Sequence, residues 1–289
     1  MKISIITPTY NRADLIDRSI QSILNQSYDN FELIIVDDAS KDNTSEKVQP
    51  FLIDDRIKYI RLEHNSGVNI ARNVGLKNIS ESAEIVTFLD SDDEFFLNAL
   101  ENIVHDFEKM DAINFFRFRV RYNNGSMASN DSFIGQTLNF NEYVNSLFEI
   151  GEWVCAFRVK KLKREFRFFE DITAFEMVSF LNVAQFEKQY FSKEIIRIYH
   201  TGHESISNEK MTIDKIDKML AGYSKLDVEF GEKIKVESKK GYARLKYVIA
   251  FYLIKRRQIA KGIAFNFEAW RLLPFDLRVV RNLIEIFKL

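Results

Sequence analysis

The sequence predicts an α/β protein: a sheet of buried parallel strands flanked by helices, continued by a helical C-terminal region. Three observations carry this expectation. Short β-branched runs alternate with segments of helical periodicity through the first third of the chain. The connections between them are short, as crossovers between neighbouring strands require. Beyond about residue 208 only helical patterns occur.

Lys2 to Thr7 is a β-branched run ended by Pro8, a buried strand followed by a loop. Leu15, Ile16, Ile20, Ile23 and Leu24 share one face of a helix over 13–26. Phe31 to Val36 is the second strand and closes in Asp37-Asp38-Ala39-Ser40, where Ser40 or Asp42 caps a helix over about 43–51. Ile57 to Leu62 is the third strand. Asn65-Ser66-Gly67 then leads into a helix over 68–79, and Glu84 to Leu89 is the fourth strand, closing in Asp90-Ser91-Asp92-Asp93. In open α/β sheets ligands bind beyond the carboxyl ends of the strands. Here those ends carry Thr7-Pro8-Thr9-Tyr10, Asp37-Asp38 and Asp90-Ser91-Asp92, more polar clustering than packing alone requires.

The second half changes character. Ile113 to Tyr122 alternates, with Phe116, Phe118, Val120 and Tyr122 on one face and Arg117, Arg119 and Arg121 on the other, before a turn at Asn123-Asn124-Gly125. A helical pattern covers about 174–187, and Pro274 separates two of the later helices. No internal repeat or low-complexity tract occurs.

Composition sets limits on function. The 289 residues are 46% hydrophobic and 29% charged, enough to bury a sizeable core. With 41 basic and 42 acidic residues the chain is near neutral, which argues against nucleic acid as a partner. A single cysteine, Cys155, excludes an internal disulfide and a Cys-rich zinc site, and suits a reducing compartment. The first apolar stretch is too short for a signal peptide, and the longest apolar run, Tyr247 to Ile254, falls far below the roughly 20 residues of a spanning helix. The expectation is a cytoplasmic protein able to sit on a membrane surface.

Charge is unevenly spread: residues 239–289 hold 12 Lys/Arg and 3 Asp/Glu, leaving 29 basic and 39 acidic groups to the rest. Basic residues interleaved with Phe265, Phe267 and Trp270 suit an anionic membrane surface; a helical appendage showing its charges to water is the other reading. Tail helices of this kind also leave a homodimer open.

Two carboxylates one residue apart at a strand end, Asp90 and Asp92, suit a hard divalent cation such as Mg²⁺ or Mn²⁺, which shares its oxygen ligands with substrate phosphates. Tyr10 can stack on a nucleobase, Arg12 can approach a phosphate, and Asp38 can accept from a base N–H. Arg72 adds a cation near a helix N-terminus, which favours anions.

In order along the chain, Ile3-Ser4-Ile5-Ile6-Thr7-Pro8-Thr9-Tyr10-Asn11-Arg12, Ser22 to Tyr28, Phe31 to Asp38, Asn43-Thr44, Asn65-Ser66-Gly67, Ala71-Arg72-Asn73-Val74-Gly75 and Phe88 to Asp93 resemble the family 2 glycosyltransferases, closely over 1–98 and loosely beyond. The resemblance implies a GT-A fold, with a Rossmann-like mixed sheet flanked by helices, a nucleotide-diphosphate sugar donor with UDP favoured, a divalent metal, and inversion at the anomeric carbon. The acceptor would be a saccharide or lipid-linked saccharide of a surface polysaccharide. It also implies a catalytic domain over 1–207, with nucleotide-binding (1–98) and acceptor-binding (99–207) halves, before the helical 208–289. By position, Pro8, Tyr10 and Asp38 frame the base, Arg12 and Arg72 lie near the nucleotide, Asp90 contacts ribose or metal, and Asp92 is the principal metal ligand.

For the catalytic base the family shows Glu-Asp, then two residues and an aromatic. Glu176 fits by its spacing to Tyr199-His200 and Ser205-Ile206-Ser207, with Met177 in place of the second acid. Glu170-Asp171 supplies the dipeptide six residues earlier, so Glu176 is favoured and Asp171 is its rival. His200 and His203 are candidates for the diphosphate or metal, Trp153 for sugar stacking or the core, and Cys155 for a small buried residue. Two other functions stay open: a sugar-phosphate nucleotidyltransferase, disfavoured because the first loop lacks glycine, and a non-catalytic nucleotide-sugar-binding relative, suggested by Met177.

Overall fold

The computed structural model describes residues 1–173, 175–202 and 211–286. The chain divides into two compact units: Met1–Asn139 with Ile150–Glu170 and Val183–His203, and Phe140–Glu149 with Asp171–Asn182 and Glu204–Leu289.

The first unit is built on one mixed sheet of β1 (Ile3–Thr9), β2 (Phe31–Asp37), β3 (Ile57–Arg61), β4 (Ile85–Phe88), β5 (Glu94–Phe95), β6 (Phe115–Tyr122), β7 (Thr137–Leu138), β8 (Trp153–Arg158) and β9 (Gln189–Tyr199). Its order is β3-β2-β1-β4-β8-β6-β9-β5, with β7 on β9. The half that the sequence predicts is parallel: β1 pairs with β2 from Ile3↔Phe31 to Thr9↔Asp37, and with β4 from Ile3↔Ile85 to Ile6↔Phe88. Every residue of β1, β2 and β4 is buried, as strands covered on both faces should be. Beyond β4 the sheet is mixed, as the GT-A resemblance implies: β8 runs antiparallel to both β4 and β6.

Helices α1 (Ile16–Leu24), α2 (Thr44–Val48), α3 (Val68–Lys77) and α4 (Ala99–Lys109) belong to this unit. α1 buries Ile16, Ile20 and Ile23 in the cluster that also holds Ile3, Ile5, Leu33 and Ile35. α3 packs on the opposite face, where a Cβ added to Gly75 would stand 2.4 Å from Ile6 Cγ2, so only glycine permits this approach. Several helices are shorter than their patterns: α1 starts at Ile16 rather than 13, and a 3-10 turn takes over at Gln49–Ile53. At α2, Asp42 accepts from Thr44 N at 3.1 Å, while Ser40 Oγ accepts from Asn11 N instead. On β6 the arginine face is not all solvent: Arg117 is buried and donates to Gln189 at 2.8 Å.

The second unit is helical, with α5 (Phe140–Ser146), α7 (Ile213–Glu237), α8 (Lys239–Lys255), α9 (Ile259–Leu272) and α10 (Leu277–Ile286); α6 (Met177–Ala184) is shorter than the predicted 174–187. Thr212 caps α7 by accepting from Lys215 N, and Ser238 caps α8 by accepting from Gly241 N. Leu226, Phe230, Ile234, Leu245 and Ile249 are buried in its core. Pro274 lies between α9 and α10, as its position predicts. Among the described residues, no helix is long and apolar enough to cross a membrane.

Candidate active site

The carboxyl ends of β1, β2 and β4 carry the polar clusters that the sequence marks. Pro8 is buried within β1, and Tyr10 is half-buried just beyond it. Asp37 Oδ1 accepts from Ser40 N at 2.8 Å, and its other oxygen accepts from the Tyr59 hydroxyl. Burial, helped by that bond, pushes the Tyr59 phenol up to about 12. Asp38 is buried, and its two oxygens accept from Ser66 N and Gly67 N, each at 2.7 Å. Its observed role is therefore to shape the turn that opens α3, where Gly67 has a φ of 96°.

Around the acidic turn after β4, four arginines converge from four elements. Arg72, on α3, donates to Asp90 Oδ1 at 2.8 Å. Arg197, on β9, lies 3.4 Å from Asp90 Oδ2, 3.5 Å from Asp93 and 2.7 Å from Glu152. Arg12, in the loop after β1, lies 3.7 Å from Asp92 Oδ2. Arg18, on α1, donates to the Asp92 carbonyl and pairs with Glu94 at 3.3 Å.

Burial opposes charge on Asp90, but Arg72 and Arg197 outweigh it and hold this carboxyl below the usual carboxylate range. Asp93 is different. Burial pushes it up to about 7 against the pull of Arg197, and one of its oxygens is a buried acceptor without a hydrogen bond. Burial disfavours the charge on Arg197, yet Asp93, Glu152 and Asp90 together raise its pKa. His200 donates its backbone N–H to Asp93 at 2.9 Å, and its Nε2 lies 2.6 Å from Glu94.

The donor set bears on metal binding. Among the described residues, no three carboxylate, imidazole or thiol groups gather into a metal cage. Both Asp90 oxygens face guanidinium groups, and the partly exposed Asp92 carboxylate lies 3.7 Å from the Arg12 guanidinium. Hard carboxylate oxygens without a closed cage fit Mg²⁺ or Mn²⁺, ions that keep waters and take substrate phosphates as ligands.

α3 has a second role. Asn73 donates to the Phe168 carbonyl and to Glu170, each at 2.9 Å, and accepts from Phe168 N at 2.9 Å. Asn69 donates to the Phe169 carbonyl at 2.9 Å. The Arg72 guanidinium lies 5.2 Å from the Phe168 ring centroid. One helix thus carries the cation and fixes residues 168–170.

The remaining candidates divide. Trp153 is in the core: its indole N–H donates to the Ile150 carbonyl at 2.7 Å and its ring meets Phe191 edge-on at 4.9 Å, so it is not a sugar platform. Cys155 is buried, as expected. His203 and Ser205-Ile206-Ser207 lie outside the described residues. Asp171 and Glu176 both belong to the second unit, where Asp171 pairs with Lys225 at 2.7 Å and the Glu176 carbonyl accepts from Phe180 N at 3.0 Å.

Residues 4–166, more than half of the chain, match the family profile described as glycosyl transferase family 2. The chain belongs to that family. It is 41% identical over 124 residues to the minor teichoic acid biosynthesis protein GgaA of Bacillus subtilis, covering 41% of this chain and 28% of that protein. It is 32% identical over 204 residues to the GalNAc(5)-diNAcBac-PP-undecaprenol beta-1,3-glucosyltransferase of Campylobacter jejuni, covering 68% of this chain and 64% of that one. Both matches span less than two thirds of the relative. In fold, the chain resembles S. aureus TarS 1-349, solved in complex with UDP-GlcNAc, with a TM-score of 0.66 at 19% identity over 100% of this chain and 89% of that one. The architecture is the GT-A type, followed by helices.

Family membership fits the motifs read from the sequence, but three parts of the site had no local signal there. Arg18 reads as the polar face of α1, Arg197 as one charge in a mixed strand, and Asn69 and Asn73 as ordinary helix polars. Asn73 does fall in the Ala71–Gly75 segment that carries the resemblance, and helical spacing puts Asn69 and Asn73 on one face with Arg72.

Proposed function

We propose that this chain transfers a sugar from a nucleotide-diphosphate donor, a UDP-sugar, to a hydroxyl of a lipid-linked saccharide, with inversion at the anomeric carbon. The observation that carries the reading is the convergence of Arg12, Arg18, Arg72 and Arg197 on the Asp90–Glu94 turn at the carboxyl ends of β1 and β4, in a chain of this family. Supporting it are the UDP-GlcNAc named for TarS and the undecaprenol-linked acceptor named for the Campylobacter relative.

In this reading Tyr10 and Pro8 border the base, and Arg12 and Arg72 bring positive charge to the diphosphate. Asp90 keeps Arg72 and Arg197 in place. Asp92 would hold a Mg²⁺ or Mn²⁺ ion, which neutralises charge on the leaving diphosphate. Glu176 takes the proton from the acceptor hydroxyl as that oxygen attacks C1. It is preferred to Asp171 for its spacing to the Tyr199-His200 segment.

The test is thermal stability against UDP, GDP, CMP and dTDP, each with and without Mn²⁺, followed by turnover with the matching nucleotide sugar. A nucleotide at 100 times its dissociation constant adds about 2.7 kcal/mol. A Mn²⁺-dependent shift with UDP that is absent in Asp92→Ala is expected, as is retained UDP binding with lost turnover in Glu176→Gln. A shift confined to another nucleotide overturns the UDP assignment, and full turnover in Glu176→Gln overturns the base.

A further inference from the structure

The last two helices are built inside out. On α10, Asn282 and Glu285 are 0% and 7% exposed, while Leu277 and Val280 are 81% and 52% exposed. Asn282 donates to the Tyr247 carbonyl at 2.9 Å and to Asn266 at 3.0 Å, and Glu285 pairs with Lys255. On α9 the buried polar residue is Asn266, and the exposed stripe is Ile263, Phe267 and Trp270 at helical spacing, the two rings stacked 5.5 Å apart. Phe275, between the helices, is 96% exposed. An ordinary surface helix presents the reverse pattern.

Charge decides what this surface meets. All three acids of residues 239–289 are engaged within the unit: Glu268 accepts from the Tyr242 hydroxyl at 2.9 Å, Asp276 pairs with Arg278 at 2.9 Å, and Glu285 with Lys255. Lys261, Arg271 and Arg281 are exposed beside the apolar stripes. The face is thus apolar and aromatic with a cationic border. Two copies meeting there would bring like charges together, whereas an anionic interface complements it.

We infer that α9 and α10 form a peripheral docking surface for an anionic phospholipid bilayer, with Phe267, Trp270, Phe275, Leu277 and Val280 entering the headgroup boundary and Lys261, Arg271 and Arg281 contacting lipid phosphates. This stands independently of the sugar-transfer reading.

The full chain is mixed with vesicles of phosphatidylglycerol and phosphatidylcholine, or of phosphatidylcholine alone, and sedimented. Binding is expected with the anionic vesicles only. Arg271→Gln with Arg281→Gln should weaken it roughly 25-fold, at about one kcal/mol per cation near the surface. Phe267→Ser with Trp270→Ser should abolish it while circular dichroism stays unchanged. The wild-type chain supplies its own reporter, because its two tryptophans differ: Trp153 is buried and Trp270 is exposed. Anionic vesicles should shift the emission to the blue and allow quenching by brominated lipid, and the Trp270→Phe variant should show neither. Equal binding to neutral vesicles, no binding to either, or a dimer in sedimentation equilibrium that dissociates in Phe267→Ser would each overturn the inference.

Discussion

In the sheet unit, Ile3, Ile5, Leu33 and Ile35 are buried, and two of the charged residues that enter the interior, Arg72 and Arg197, do so facing carboxylates. In α9 and α10 the arrangement is turned round: Asn266, Asn282 and Glu285 are covered, and Phe267, Trp270 and Val280 stand in the open. The same two classes of side chain are used in both places, with opposite outcomes. Burying a charge is costly unless it is paired, so the sheet unit sets Arg72 and Arg197 against acids. Exposed apolar area costs little in a chain already folded by other contacts, so the helical unit can carry it outward for a partner.

The most severe way to break the sheet side of this contrast is Arg197→Met. It leaves the buried Asp93, and the partly exposed Asp90, without their shared cation and should cost about 2–4 kcal/mol in urea denaturation. A loss below about 1 kcal/mol would mean that Arg72 alone sustains the site. Asp92→Ala acts on function instead: kcat/KM for sugar transfer should fall roughly 100- to 1000-fold, the scale for losing one transition-state contact, with the melting temperature held. Gly75→Ala forces a methyl against Ile6 and should destabilise by about 1–3 kcal/mol, measured in the same denaturation.

Asp93 gives the contrast a pH axis. Its pKa, raised to about 7 by burial, exceeds that of the unfolded chain, so between about pH 4 and 7 the folded state binds more protons and the stability from this group falls as pH rises. Asp93→Asn, which can still accept from His200 N, should flatten that part of a melting-temperature profile and leave the protein more stable above pH 7. An unchanged slope would assign the titration elsewhere. At the small end, Val280→Ser should change stability by less than about 0.5 kcal/mol, because the side chain is already in water; a larger loss would show that α10 depends on its outer face.

Legibility in the sequence follows the same division. β1 to β4 are readable because strands buried on both faces are continuous apolar runs, and their polar ends stand out against them. β8 and β9 escape because they join the sheet from far along the chain, with no hairpin or short crossover to announce them. The Arg72–Asp90 pair is legible since each residue sits in a recognisable strand-end or helix-start motif. Arg18 and Arg197 are not, because their meaning lies in a convergence that local spacing does not encode. In α9 and α10 the helical period is plain, but which face turns inward is set by partners such as Tyr247 and Lys255, and composition alone cannot orient it.

The antiparallel insertion of β8 also bears on how the chain is made. β4 has β1 on one edge, and its other edge is filled only when Ile85 meets Arg158. A fragment ending near residue 98, however complete its motifs, would present that apolar edge to any passing strand. On a ribosome adding about 5–20 residues per second, the edge waits roughly 4–14 seconds for its partner, an interval long enough for a chaperone to matter to yield.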